Sequence, residues 1–313
     1  MTPLTGCGLT IGNFDGVHLG HRRLIARAGE LSQDRPAVVM CFDPHPMAVL
    51  NPRQRPGVLT PMDMKLKLLE EAGADAAAIV PVDRAMLELS AEQFVREMIV
   101  ARFRPRAVVE GPTFGFGKNR EGDPEMLREL GLRYGFAVDI VPGVQRELHG
   151  HHEPVTISST LIRRLIGGGA VESAAECLGR PYRLAGRLVP GRAVGRTIGF
   201  PTANLAVAGQ LVPADGVYAA VARCESFTGP AAVSIGAPVT FEVRESAIEA
   251  HLIGFSGTLG DEAMELDMVA RLRGIEKFES VETLVEQIGR DVEQTRVVLK
   301  SVGMFNVQGS MFK

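Results

Sequence analysis

Short apolar runs alternate with amphipathic stretches through the first half of this 313-residue chain, and that alternation predicts an α/β domain on a parallel sheet. Near residue 180 the pattern changes to short runs broken by turn signals, which predicts a second, smaller antiparallel β-barrel. One amphipathic stretch at about 280–300 predicts a C-terminal helix. At this length two domains can each bury a core, so the expected modules are 1–182 and 183–313.

In the first half, strands are expected at 8–12, 37–42, 76–81, 106–110 and 137–141. Helices are expected at 19–31, 62–72, 84–101, 124–135 and 159–166, with a short one at 170–177. In such sheets ligands sit beyond the C-terminal ends of the strands. Gly12, Phe42 and Glu110 close the first, second and fourth runs, and each opens a motif. From Gly179-Arg180-Pro181-Tyr182 to Pro201, Gly, Pro and Arg are dense. Short runs then follow at 184–189, 216–223, 230–235, 247–254 and 264–271, the expected barrel strands.

Composition narrows the function class. The chain is 45% hydrophobic and 23% charged, as globular proteins are, and its net charge of −3 gives no electrostatic case for nucleic acid. Cys7, Cys41, Cys177 and Cys224 are scattered without a C-x-x-C, which reads as reduced, mostly buried thiols in a cytoplasmic protein. Neither a signal peptide nor an apolar run long enough for a membrane span is visible.

The densest signal follows the first strand. Gly12-Asn13-Phe14-Asp15-Gly16 reads as a tight turn, and His18 and His21 open the helix after it. Positions three apart share a helix face, so both imidazoles stand beside the unpaired N–H groups and positive dipole end of that helix. Gly20 removes a side chain between them. An isolated His pair is commonly a surface feature, but placed between strand and helix it forms a site for a polyphosphate. The spacing implies no metal, because no carboxylate or thiolate completes a ligand set nearby.

Other segments add to it. Phe42-Asp43-Pro44-His45-Pro46 is a loop stiffened by two prolines, suited to be a wall against a ligand. In Gly111-Pro112-Thr113-Phe114-Gly115-Phe116-Gly117, glycines admit close backbone approach and two aromatic rings can stack on a flat ligand. Ser158 or Ser159 is a candidate N-cap before Thr160 and Arg163, whose helix start can take an anion. In the second half, Gly191, Gly195, Arg192 and Arg196 form a loop that can wrap phosphates. Thr202 and Asn204, two apart on an extended segment, point to one side and offer the oxygen ligands Mg²⁺ prefers. Taken singly, each of these also reads as ordinary loop or cap structure.

Taken in order, G-N-F-D-G-V-H-x-G-H, F-D-P-H-P, G-x-x-F-x-F-G-x-x-R-x-G-D and I-S-S-T-x-I-R resemble the adenylyltransferase module of the bacterial bifunctional riboflavin kinase/FAD synthetases. The later G-R-x-x-G-F-P-T-A-N, Gly216-Val217-Tyr218-Ala219, Ser234-Ile235-Gly236 and Ile248-Glu249-Ala250-His251 resemble the riboflavin kinase module of the same family. The resemblance implies a Rossmann-like nucleotidylyltransferase domain followed by a kinase barrel. It implies that His18, His21, Ser159 and Arg163 act in adenylyl transfer and that Glu249 is the kinase base. It assigns Gly12, Asn13, Phe14, Asp15, Gly20, Ser158 and Thr160 to ATP in the first module, and Gly191, Gly195 and Arg196 to ATP in the second. Flavin contacts map to Phe42, Pro44, His45, Pro46, Thr113, Phe114, Phe116, Arg273 and Phe278, and Mg²⁺ to Thr202 and Asn204. Asp291 matches the aspartate of the family's last helix. The expected substrates are ATP, riboflavin and FMN, with FAD as product. The expected partners include neither nucleic acid nor membrane and leave room for weak self-association.

The chain departs from the family at Thr113, where Asn or Asp is usual. It also departs at Gly254, where Asp is usual, and lacks the Asp-Leu-Tyr element that follows. These departures define an alternative in which only the adenylyltransferase module is active.

Overall fold

The computed structural model describes residues 4–148, 153–190, 199–236 and 247–304. Contacts divide the chain into two compact units, Met1–Ser159 and Thr160–Lys313.

In the first unit, β1 (Gly8–Ile11), β2 (Ala37–Asp43), β3 (Ala76–Pro81), β4 (Ala107–Glu110) and β5 (Ala137–Ile140) form a parallel sheet in the order β3-β2-β1-β4-β5. The order reverses between β1 and β4, and in open α/β sheets that switch point opens a ligand crevice. Both strands are buried at every position, as central parallel strands are. Val38 and Met40 face one core with Leu9, Ile99 and Leu127. Val39 and Cys41 face the other with Phe14, Ile25 and Leu69. The helices of this unit are α1 (Leu19–Ser32), α2 (Pro46–Leu50), α3 (Met62–Glu71), α4 (Arg84–Leu87), α5 (Ala91–Phe94), α6 (Ala101–Phe103) and α7 (Pro124–Tyr134).

The helix expected at 84–101 is broken. Ser90 starts α5 with a capping box in which its side chain and that of Gln93 each bind the other's backbone N–H. A π-helical segment, Val95–Val100, then joins α5 to α6. Neither α2 nor the short antiparallel pair β6 (Gln145–Arg146) and β7 (Val155–Thr156) was expected.

The second unit holds nearly all of α8 (Ser159–Gly167), then α9 (Val171–Leu178), and six antiparallel strands: β8 (Tyr182–Val189), β9 (Thr202–Ala206), β10 (Gly216–Arg223), β11 (Thr228–Gly236), β12 (Ala247–Leu252) and β13 (Ala263–Arg273). They close as a barrel in the order β10-β11-β12-β9-β8-β13. The extended segment at Thr202 proves to be the strand that joins β12 to β8. The last helix, α10 (Val281–Ser301), packs on β10, β11 and β13 and is capped by Ser280. The contact boundary precedes the expected 182 because α9 packs on β8 and β13.

Among the described residues no helix is long and apolar enough to cross a membrane. The four cysteines form no disulfide, and three of them are buried. Burial pushes the Cys7 thiol up to about 11 and raises that of Cys41 as well.

Candidate active sites

In the first unit the site begins where β1 runs out. Phe14, Gly16 and Val17 take positive φ of 47°, 88° and 40°. That region suits glycine and is strained for a bulky or β-branched residue. The full burial of Phe14 and Val17 holds the strained turn in place.

Side chains stitch this turn from four directions. The Asp15 carboxylate accepts the Leu59 N–H at 3.0 and 3.1 Å and the Thr60 N–H at 3.0 Å, while Thr60 Oγ1 accepts the Gly16 N–H at 3.0 Å. Ser159 Oγ donates to the Asp15 carbonyl at 2.8 Å. Lys65 Nζ donates to the Asn13 carbonyl at 3.0 Å. On the β4 side, Glu110 Oε1 accepts the Ile11 N–H at 2.6 Å. Glu110 is only 2% exposed, and burial pushes its carboxyl well above the usual carboxylate range.

His18 caps α1: its Nδ1 accepts the His21 N–H at 3.3 Å. An accepting Nδ1 leaves the proton on Nε2, so this imidazole presents a donor on its far side. The His18 and His21 rings stack at 3.6 Å between centroids and 17° between planes, and Phe14 lies 4.8 Å from the His21 ring. A Cβ on Gly20 would stand 3.0 Å from His18 Cε1, so the glycine clears the path of that ring. Three buried polar atoms around this turn lack a hydrogen-bond partner: Thr10 Oγ1, Asn13 Oδ1 and Arg22 Nε. Unsatisfied buried groups of this kind are completed by a bound water, an ion or a ligand. Sequence reading missed Arg22, Lys65 and Glu110; the signal for Arg22 was its place four residues after His18, on the same helix face.

The expected flavin residues divide. Phe42 is half-buried against the core, Pro44 follows a cis peptide bond from Asp43, and His45 Nδ1 accepts the Met47 N–H at 3.1 Å as the cap of α2, with Pro46 in its first turn. Phe116 is a core residue, 4% exposed, and Phe114 stacks on it at 5.4 Å from the more exposed side. Gly122 is required there, because a Cβ would stand 2.6 Å from the Phe116 ring. The Thr113 carbonyl accepts Arg120 Nη2 at 3.0 Å. Ser158 is half-buried just before α8, while Thr160 is exposed and Arg163 half-buried on α8 in the second unit.

In the second unit the site is a matter of strand register. Asn204 on β9 pairs with Glu249 on β12, and Thr202 pairs with His251. Their neighbours Ala203, Leu205, Ile248 and Ala250 are buried, so the four polar side chains stand together on the outer face of the sheet. Directly paired residues have Cβ atoms roughly 5 Å apart, which puts Asn204 beside Glu249. Ser234 on β11 extends the same row. His251 Nδ1 lies 2.9 Å from the Pro201 carbonyl, which only accepts, so that nitrogen carries the proton. The Phe200 ring meets His251 edge-on and packs with Ile288 and Val292 of α10. Gly254 turns the chain just after β12 with φ 87°, a conformation glycine takes without strain.

Arg273 is anchored to the last helix. Its Nε and Nη2 both bind the Asp291 carboxylate, at 3.0 and 2.7 Å, and Gln287 adds a bond to Asp291 at 2.9 Å. Asp291 is buried and Arg273 half-buried, and the carboxylate raises the guanidinium further. Arg273 lies over the Phe278 ring at 5.7 Å, so it links α10 to that aromatic. Gly191, Gly195 and Arg196 lie outside the described residues. Among the described residues no three His, Cys, Asp or Glu side chains gather as a metal site.

A family model described as FAD synthetase matches residues 2–160, and one described as riboflavin kinase matches residues 178–299. The bifunctional riboflavin kinase/FMN adenylyltransferase of Escherichia coli strain K12 is 36% identical over 92% of this chain and 91% of its own. The protein of the same name from Haemophilus influenzae is 35% identical over 95% of this chain and 96% of its own. A solved chain titled macrolide-efflux protein, from Streptococcus pneumoniae, matches with a TM-score of 0.84 and 30% identity over 95% of each chain. With both family models matched in order and these relatives aligned nearly end to end, the chain belongs to the bifunctional riboflavin kinase/FMN adenylyltransferase family.

Proposed function

We infer that this chain converts riboflavin to FMN in its second unit and FMN to FAD in its first. The observation that carries the reading is that each unit holds its own polar set: the stacked histidines over a stitched turn in one, and the Thr202, Asn204 and Glu249 row in the other.

In the kinase step Glu249 accepts the proton of the riboflavin 5′-hydroxyl. That oxygen bonds to the γ-phosphorus of ATP, the bond to the β-phosphate oxygen breaks, and ADP leaves. The oxygen-bearing side chains of Thr202 and Asn204 suit Mg²⁺ and would hold it. When bound, the ion would neutralise charge on the ATP phosphates. In the adenylyl step the FMN phosphate oxygen bonds to the α-phosphorus of ATP, and pyrophosphate leaves. The protein forms no covalent bond there; it positions the phosphates and stabilises charge. His18 and His21 face the β- and γ-phosphates, Ser159 supports them, and Phe114 offers its ring to the isoalloxazine. Asp15 serves by shaping the turn, since its carboxylate oxygens are engaged by backbone N–H groups. The functional modules are 1–182 and 183–313, and the reduced thiols and ATP chemistry fit action in the cytoplasm.

The test is to incubate the chain with riboflavin, ATP and Mg²⁺ and to separate the flavins by chromatography. FMN should rise and then give way to FAD, with pyrophosphate released. Riboflavin left unconverted would remove the kinase and leave the adenylyltransferase-only alternative. Accumulation of FMN without FAD would remove the adenylyltransferase.

A further inference from the structure

The first unit buries a cation that none of the sequence motifs uses. Lys65 lies on α3, with Leu68 and Leu69 three and four positions on, and it shares their buried face at 7% exposure. Lys67, two positions on, is exposed. Among the described residues the Lys65 ammonium makes no ion pair. The acid of the adjoining turn, Asp15, has its carboxylate oxygens on the N–H groups of Leu59 and Thr60. A buried ammonium without an ion-pair partner is costly, and an anion bound beside it offsets that cost.

The hydrogen bond of Lys65 shows where that anion belongs. Nζ grips the Asn13 carbonyl at 3.0 Å. In a trans peptide the next N–H points opposite to the carbonyl, so this grip turns the Phe14 N–H away from Lys65. The Phe14 N–H donates to no group among the described residues. Arg22, on the His18 face of α1, also buries an Nε donor without a partner. A fixed cation, a directed backbone N–H, an unsatisfied guanidinium nitrogen and the start of α1 thus surround one turn, and the ligand they fit is a polyphosphate.

We propose that Lys65 is a positioning residue of adenylyl transfer, holding the Asn13–Phe14 peptide so that the Phe14 N–H faces the ATP phosphates and supplying the counter-charge beneath them. It rests on the reading of the first unit as the FMN adenylyltransferase. Lys65→Met removes the charge at similar volume, and Lys65→Arg keeps it. In the full chain, Lys65→Met should lower kcat/KM for ATP in FAD formation by roughly 10- to 100-fold, the size of one lost charge-stabilising donor. The KM for FMN and the rate of riboflavin phosphorylation should stay at wild-type values, and Lys65→Arg should recover most of the loss. Calorimetric titration with inorganic pyrophosphate should show binding weakened by about 10-fold in Lys65→Met, in line with a lost charge-assisted contact.

Wild-type pyrophosphate affinity and wild-type kcat/KM for ATP in Lys65→Met would overturn the proposal. So would an equal rise in KM for ATP and FMN, which a loosened fold gives and a lost counter-charge does not. Should Lys65→Met fail to fold, Lys65→Gln takes its place with the same expectations. If the unsubstituted chain forms no FAD, the reading of the unit falls, and the pyrophosphate titration still decides whether Lys65 supports a polyphosphate.

Discussion

The histidine turn of the first unit takes positive φ at Phe14, Gly16 and Val17, whereas the Thr202, Asn204 and Glu249 set of the second lies on regular antiparallel strands. The first site is irregular backbone, so it needs side chains from four other segments to hold it: Thr60, Lys65, Glu110 and Ser159. The second needs none of that, because the barrel ladder already sets which residues stand side by side. Preorganisation by stitching spreads a site through the core; preorganisation by register keeps it on one face.

Glu249→Gln makes the sharpest break between the two. It should cut FMN formation by roughly 10²- to 10⁴-fold, the usual worth of a general base, with FAD formation from supplied FMN unchanged. Chromatographic rates from each starting flavin check this, and a matched loss of both would count against separate sites. Asp291→Ala should cost the second unit about 1–3 kcal/mol, because it leaves the half-buried Arg273 guanidinium without its carboxylate. Denaturant unfolding measures it, and a change under about 1 kcal/mol would mean the pair is effectively solvated. His21→Ala should lower FAD formation by about 10²-fold while FMN formation survives. Retention of the full rate would move the phosphate role from the stacked pair to the backbone of the turn.

The smallest effect concerns Glu110. Its folded-state carboxyl is raised, so the native protein holds that proton to higher pH than the unfolded chain does. The stability it contributes is complete below the ordinary carboxylate range and is lost as pH rises toward the raised value. Glu110→Gln should therefore flatten the fall of the first unit's unfolding temperature as pH rises above the ordinary carboxylate range. Parallel curves for the two proteins would show that the carboxyl does not titrate in that window.

Most of the fold was legible because apolar runs mark parallel strands directly: the five of the sheet fall within a residue or so of their expected ends. The break inside 84–101 was missed although Ser90-x-x-Gln93 spells a capping box, because the apolar period runs across it. The histidine turn was legible as a candidate site because its residue types are rare in that order. Lys65 and Glu110 were not. One sits in a helix that also carries an exposed Lys67, the other ends an apolar strand, and only the packed structure shows which charges are buried. Arg273, expected at the flavin, also binds Asp291 through Nε and Nη2, a pairing the sequence pattern did not display.

The pairing of β9 with β12 carries a consequence for how this chain can vary. Strand side chains alternate, so moving β9 by one residue against its partner would turn Thr202 and Asn204 into the barrel and present Ala203 and Leu205 to Glu249. A single residue inserted between Thr202 and Asn204 would thus part these two side chains onto opposite faces while leaving both in the sequence. Within β9, change can proceed gradually by substitution, but by length only in steps that keep parity.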